Sequence, residues 1–171
     1  EQRDGVLLAD DVGLGKTFQA GELIADRVLN HRDRVLVIAP AVLRDGPWRK
    51  FLRDRDLPVQ VVSFEELVAD KRLNPEGGTE DKLWHRPNDY KMIVIDEAHN
   101  LRNPSTQRAE ALRALLAGNP PKDVVLVTAT PVNNSLWDLY HLLRFFVRSE
   151  SAFANVGVPN MREHFAAAME I

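Results

Sequence analysis

The sequence contains no cysteine. Disulfide scaffolds, cysteine-ligated zinc, iron–sulfur clusters and cysteine nucleophiles are thereby excluded, and an intracellular location is expected. Long apolar runs are missing too. The longest are about five residues, against about 18 needed to cross a bilayer, so no membrane partner is expected. The opening Glu1-Gln2-Arg3-Asp4 lacks the chemistry of a signal peptide. Nor is either charge in large excess: the net charge is −3, so contact with nucleic acid would have to come from a local basic patch. What is present is ordinary. Of 171 residues, 44% are hydrophobic and 27% charged, which excludes a disordered chain and suits one globular domain.

A repeated pattern runs along the chain: a short apolar run, turn residues, then a helical period. The apolar runs are Gly5–Ala9, Val35–Ala39, Val59–Val62, Met92–Ile95 and Val124–Val127. Runs that are apolar on both faces are what strands of a covered parallel sheet require. Between them, Ala20, Ile24 and Val28 recur every four residues, as do Ala109, Leu112 and Leu116, while Leu136, Leu139, Tyr140 and Leu143 form the clearest stripe. This alternation predicts a doubly wound α/β fold. Asn74–Thr79, running on to Pro87-Asn88-Asp89, reads as a loop. From residue 149 onward the pattern breaks. A short helix is expected over Met161–Ile171, weakly packed, so the chain divides into a lobe over 1–148 and a tail over 149–171.

Gly13-Leu14-Gly15-Lys16-Thr17 follows the first apolar run and opens the first helical stretch. That is the context a phosphate loop needs. Small residues let the backbone curl so that successive N–H groups face phosphate, and the helix start adds partial positive charge. Lys16 would reach the outer phosphates of ATP, and the Thr17 hydroxyl would ligate Mg²⁺. The general pattern has glycine where this chain has Asp10; Asp10 and Asp11 are expected to turn away from the phosphates.

The run Met92–Ile95 ends in Asp96-Glu97-Ala98-His99. Two carboxylates at the carboxyl edge of a buried strand lie where ligands bind in open α/β sheets. Asp96 could hold Mg²⁺ through water and Glu97 could orient and deprotonate the attacking water, although an Asp-Glu pair alone also suits a helix start. His99 has no second ligand at metal-binding spacing on a helix, so it is not read as a zinc ligand.

These motifs resemble, in order, those of the first motor lobe of Swi/Snf-type ATPases in helicase superfamily two, over about residues 5 to 146. The family's D-E-M-G-L-G-K-T stands here as Asp10 to Thr17, departing at Asp11 and Val12 and matching the Asp10 that the general pattern lacks. Its D-E-A-H box is Asp96 to His99, followed by Leu101-Arg102-Asn103. Its S/T-A/G-T-P segment is Thr128-Ala129-Thr130-Pro131. Ala39-Pro40, Leu43 and Trp48 match its proline-to-tryptophan segment, Val62–Glu65 its next short motif, and Asn134 to Phe145 its later helix.

The resemblance implies a RecA-like P-loop NTPase lobe, a largely parallel sheet with helices on both faces, that uses ATP and Mg²⁺ to drive movement on double-stranded DNA. Lys16, Asp96 and Glu97 would be catalytic, and Gly13, Leu14, Gly15, Lys16 and Thr17 would hold the phosphates. Thr128 and Thr130 would couple to the acidic step through His99. Pro40, Arg44, Arg49 and Lys50 would face the nucleic-acid backbone, but Asp45, Asp54 and Asp56 interleave with these bases, so a self-compensated surface suits them as well. Trp48 is expected to pack rather than to stack on a base. The family's second lobe supplies arginines to the γ-phosphate, and no such lobe fits after Phe146; the lobe by itself is therefore expected to be nearly inactive. A strand-separating helicase, an RNA-dependent ATPase of the same superfamily and a decayed docking module are the alternatives.

Overall fold

The computed structural model describes residues 5–9 and 15–170. Each of the five apolar runs becomes a strand: β1 Gly5–Ala9, β2 Val35–Ile38, β3 Gln60–Val62, β4 Met92–Asp96 and β5 Asp123–Thr128. They form one sheet in the order β1-β5-β4-β2-β3, and every pairing is parallel. Helix α1 (Lys16–Leu29) follows β1. A short α2 (Ala41–Leu43), one wide π turn (Arg44–Trp48) and α3 (Arg49–Asp54) follow β2. Helix α4 (Phe64–Ala69) follows β3, α5 (Gln107–Leu116) precedes β5, and α6 (Leu136–Leu143) and α7 (Met161–Met169) close the chain.

Because side chains alternate across a strand, the sheet has two cores. Leu36, Ile38, Ile93, Ile95, Val124 and Leu126 face α4, α5, α6 and α7. Val35, Val37, Met92, Val94, Val125 and Val127 face the other way, where Ala20 and Ile24 of α1, Trp48 of the π turn and Leu52 of α3 cover them. Both faces of β2, β4 and β5 are thus dry, which is why these strands read as unbroken apolar runs; β1, read the same way, lies at the sheet edge with Gly5, Val6 and Ala9 exposed. The same two-residue period sends Asp96 to the α1 face, with Met92 and Val94, and Thr128 to the opposite face, with Val124 and Leu126.

Local rules explain several boundaries. Ser63 starts α4 through a reciprocal cap: its hydroxyl accepts from the Glu66 N–H at 3.1 Å, and the Glu66 carboxylate accepts from the Ser63 N–H at 2.8 Å. Thr106, Ser135 and Asn160 begin α5, α6 and α7 by accepting backbone N–H groups.

One expectation holds and another is corrected. The stretch from Asn74 to Thr79 is a loop as read, part of one built on a charge. The fully buried Asp70 carboxylate accepts the backbone N–H groups of Arg72, Lys82 and Leu83 at 2.9, 2.7 and 2.9 Å and pairs with the Arg72 guanidinium at 2.8 Å. The tail is also docked rather than loose. Met161 is 1% exposed, Phe165 meets the Tyr140 ring edge to face, and Glu150 accepts from the Tyr140 hydroxyl at 2.8 Å and the Arg162 N–H at 3.0 Å.

Candidate nucleotide site

The registers put the two halves of the predicted site on one rim. Ala9, the last residue of β1, stands beside Thr128 of β5, and Asp96 of β4 stands beside Val127 of the same strand. The carboxyl ends of β1 and β4 therefore flank that of β5. Asp10, Asp11, Val12, Gly13 and Leu14 lie outside the described residues. Gly15 is described: it starts α1 in a left-handed conformation (φ 79°) that favours glycine. It has no side chain to cap the helix, and the first turn carries no acidic residue. A helix start of that kind suits an anion. Lys16 and Thr17 sit half-buried in this first turn.

Asp96 is 5% exposed. Burial pushes its carboxyl above the usual carboxylate range, while the Trp48 indole, the Glu97 N–H and the nearby Lys16 ammonium act in the opposite sense. Its two oxygens are each anchored. Oδ2 accepts from Trp48 Nε1 at 2.8 Å, and Oδ1 accepts from the Glu97 N–H at 2.9 Å. Each oxygen keeps a second lone-pair direction for a water of a hydrated cation. A desolvated carboxylate on the phosphate-helix side of the rim, with the Thr17 hydroxyl on the helix itself, is a donor set that fits Mg²⁺.

Glu97 leaves the strand with φ 52° and ψ 48°, a left-handed conformation rare for a residue with a side chain. This turn carries the chain from β4 into a single 3₁₀ turn, Ala98–Leu101, whose Ala98 and Leu101 pack into the core on the α5 and α6 side. His99 comes back under Glu97: its Nδ1 lies 3.0 Å from Glu97 Oε2 and 3.3 Å from Thr128 Oγ1. Thr128 thus makes the expected side-chain link. Thr130 does not: among the described contacts it joins only through its backbone N–H, 3.3 Å from Thr128 Oγ1.

A second tie was not foreseen. Arg102 donates to the His99 carbonyl at 3.0 Å and faces Asp138 of α6 at 3.6 Å. Burial works against the charge of Asp138, yet the N–H groups of Asn134, Asn133 and Ser135, with Arg102 beyond them, hold its carboxyl below its ordinary range. The segment after Thr130 is thereby fastened to the turn that carries His99. Both residues fall in runs that the family resemblance picks out, but only tertiary structure shows that they meet.

The basic surface proposed for nucleic acid divides. Pro40 starts α2 at the carboxyl end of β2, on the same rim as Asp96. Arg44 is committed: its guanidinium holds Asp45 at 2.9 Å and also pairs with Glu66, and only 16% of the side chain is exposed. Arg49 and Lys50 are exposed but pair with Asp45 and Asp54. The self-compensated surface is the arrangement seen.

The profile of the SNF2-related domain matches residues 48–156, and the chain belongs to that family. A Bacillus subtilis protein named uncharacterized ATP-dependent helicase YqhH is 29% identical over 145 residues, covering 80% of this chain and 25% of that protein. Helicase swr1 of Aspergillus fumigatus is 24% identical over 163 residues, covering 84% of this chain and 9% of the relative. Among solved structures, the Sulfolobus solfataricus SWI2/SNF2 ATPase core in complex with dsDNA superposes with a TM-score of 0.61 at 27% identity, over 84% of this chain and 31% of the other. The Hef helicase domain of Pyrococcus furiosus shares the fold at 18% identity and a TM-score of 0.65, over 86% of this chain and 34% of that one. The fold is that of a RecA-like lobe, and the chain spans about a quarter or less of the two relatives named.

Proposed function

We propose that the chain is the ATP-binding lobe of a motor that couples ATP hydrolysis to movement along double-stranded DNA. The observation that carries this reading is the convergence of Lys16, Asp96 and Glu97 at one end of a parallel sheet, with Thr128 between them on β5. Lys16 and the N–H groups at the start of α1 bind the triphosphate, and Thr17 and Asp96 hold Mg²⁺, Asp96 through water. Mg²⁺, when bound, neutralises charge on the phosphate oxygens. Glu97 orients the attacking water and takes its proton, with its carboxylate steadied by His99. His99, Thr128 and the Arg102–Asp138 pair join the acidic step to the segment after β5, a route by which nucleotide state reaches the nucleic-acid surface.

That surface includes Pro40, with Arg49 and Lys50 exchanging their aspartate partners for phosphates. Residues 1–148 form the lobe, and 149–171 lead toward a second lobe that supplies arginines across the nucleotide. Alone, the lobe hydrolyses ATP slowly, since such an arginine is worth roughly 10³–10⁵ in rate. The protein acts inside the cell on protein–DNA complexes. The duplex DNA in the Sulfolobus complex supports this choice of partner.

The deciding experiment measures ATP turnover by the full-length protein with duplex DNA, single-stranded DNA or RNA, beside displacement of a third strand from duplex DNA and a strand-separation assay. Duplex-stimulated turnover with third-strand displacement, abolished by Lys16→Ala, is expected. Strand separation, or stimulation by RNA alone, would replace this reading with that of a helicase or an RNA-dependent ATPase.

A further inference from the structure

Trp48 is fully buried, and its indole meets a predicted site residue, Asp96, that lies 48 positions further along the chain. Its place depends on local backbone. Between α2 and α3 the chain makes one π turn, Arg44–Trp48, with Pro47 inside it. Such turns shift the phase of a helix by one residue and are common at functional sites. Here the shift brings the indole inward over the end of β4, where Nε1 donates to Asp96 Oδ2 at 2.8 Å.

We infer that Trp48 is a positioning residue for Asp96, fixing the plane of the carboxylate that faces the magnesium–nucleotide and registering it against the phosphate helix. Three observations carry this. An indole offers one donor and no acceptor, so the site requires an acceptor there, which Asp96 Oδ2 supplies. The Glu97 N–H holds the other oxygen at 2.9 Å, and two anchors on two oxygens leave the group no free rotation. The same indole is packed toward α1. Trp48 meets Phe51 edge to face with centroids 6.3 Å apart, Phe51 meets Phe18 of α1 at 6.2 Å, and the Arg55 guanidinium lies 3.9 Å above the Phe51 ring. One aromatic series therefore links the helix that begins with Lys16 and Thr17 to the carboxylate opposite them. Partners of this kind behind a ligating group commonly govern metal affinity by 10–100-fold.

The inference rests on the nucleotide-site reading, and the experiment separates the two. Mg²⁺ is titrated into the full-length protein with a fluorescent ATP analogue, and the half-saturating Mg²⁺ concentration for nucleotide binding is read. Trp48→Phe keeps an aromatic ring and deletes the donor. The expected result is a rise of about 10–100-fold in that concentration, with binding recovered at high Mg²⁺. Leu52→Ala removes packing from the same core without touching Asp96; it should lower the melting temperature and leave the Mg²⁺ requirement unmoved. If Trp48→Phe does not fold, a benzothienyl analogue placed at position 48 replaces the N–H with sulfur at nearly constant shape and is expected to give the same rise. In the wild type, the Trp48 indole N–H resonance should shift when Mg²⁺ and nucleotide are added together. An unmoved Mg²⁺ requirement in the folded donor-free variant overturns the role of Trp48. Absence of Mg²⁺-dependent nucleotide binding in the wild type overturns the nucleotide site itself, and with it this inference.

Discussion

His99 Nδ1 stands 3.0 Å from Glu97 Oε2. An ionised carboxylate only accepts, so the ring must carry its proton on Nδ1 to make this bond. The same nitrogen is 3.3 Å from Thr128 Oγ1. Glu97 and the end of β5 therefore share one imidazole edge.

Glu97→Gln keeps the size of the side chain and removes its basicity. Nucleotide binding should persist while turnover by the full-length protein falls about 10²–10⁴-fold. Equilibrium binding of a fluorescent ATP analogue beside steady-state phosphate release checks this. A variant that no longer binds nucleotide would place Glu97 in binding rather than in proton transfer.

Thr128→Val is nearly isosteric at a site only 1% exposed, and it removes the hydroxyl that meets His99. Nucleotide affinity should hold. The stimulation of turnover by duplex DNA should fall by about tenfold, within the range of ordinary coupling energies. Measuring turnover with and without DNA in both proteins tests it, and undiminished stimulation would remove Thr128 from the coupling route.

The charge of Asp70 can be tested by pH. Burial opposes that charge, but the Arg72 guanidinium and the N–H groups of Leu83, Arg72 and Lys82 outweigh it and hold the carboxyl below its ordinary value. A depressed carboxyl contributes stability that is present above the unfolded-state value, near pH 4, and is lost as the pH falls through the lower folded-state value. Asp70→Asn should cost about 2 kcal/mol at neutral pH, the scale for orphaning buried donors. It should also flatten the acid limb of the stability curve. Urea melts from pH 7 downward are the measurement, and parallel acid limbs in the two proteins would refute the assignment.

Gly21 faces Phe51 so closely that an added Cβ would lie 2.2 Å from the ring. Two effects compete in Gly21→Ala. Alanine favours the helix by about 1 kcal/mol, whereas overpacking costs about 1–3 kcal/mol. The ring is already set against Trp48, Phe18 and Arg55, so overpacking should win and the melting temperature should fall. Phe51→Leu in the same chain should recover part of the loss. Additive losses in the double variant would mean that the two residues do not share the contact.

Much of this was legible in the sequence. Val35–Ala39 and Met92–Ile95 read as covered strands because both faces are in fact dry, and Lys16, Thr17, Asp96 and Glu97 announce themselves by standing at or after the ends of apolar runs. What could not be read depends on distant partners. Nothing in Arg44-Asp45-Gly46-Pro47-Trp48 reveals a π turn or an indole aimed at a residue 48 positions away. Asp70 looks like one more polar residue at a helix end until the Lys82 and Leu83 N–H groups return to it. Glu150 and Met161 lie in a stretch with no period, and they dock because Tyr140 supplies a hydroxyl and a ring edge. For Arg44, read as a phosphate contact or part of a self-compensated surface, the interleaved Asp45 pointed to one of its two partners, while Glu66 of α4 could not be read from the sequence.

The left-handed backbone of Glu97 costs about 1–3 kcal/mol, and it gives that residue a singular standing. It is the one position at the end of β4 that obeys neither side of the pleat. Asp96 before it faces the α1 side, Ala98 after it belongs to the opposite core, and the Glu97 N–H between them is tied to Asp96 Oδ1. Arg32 and Asp56 share this left-handed conformation, but of the three only Glu97 holds it between Asp96 and His99, so any turn of its peptide would be felt by both neighbours.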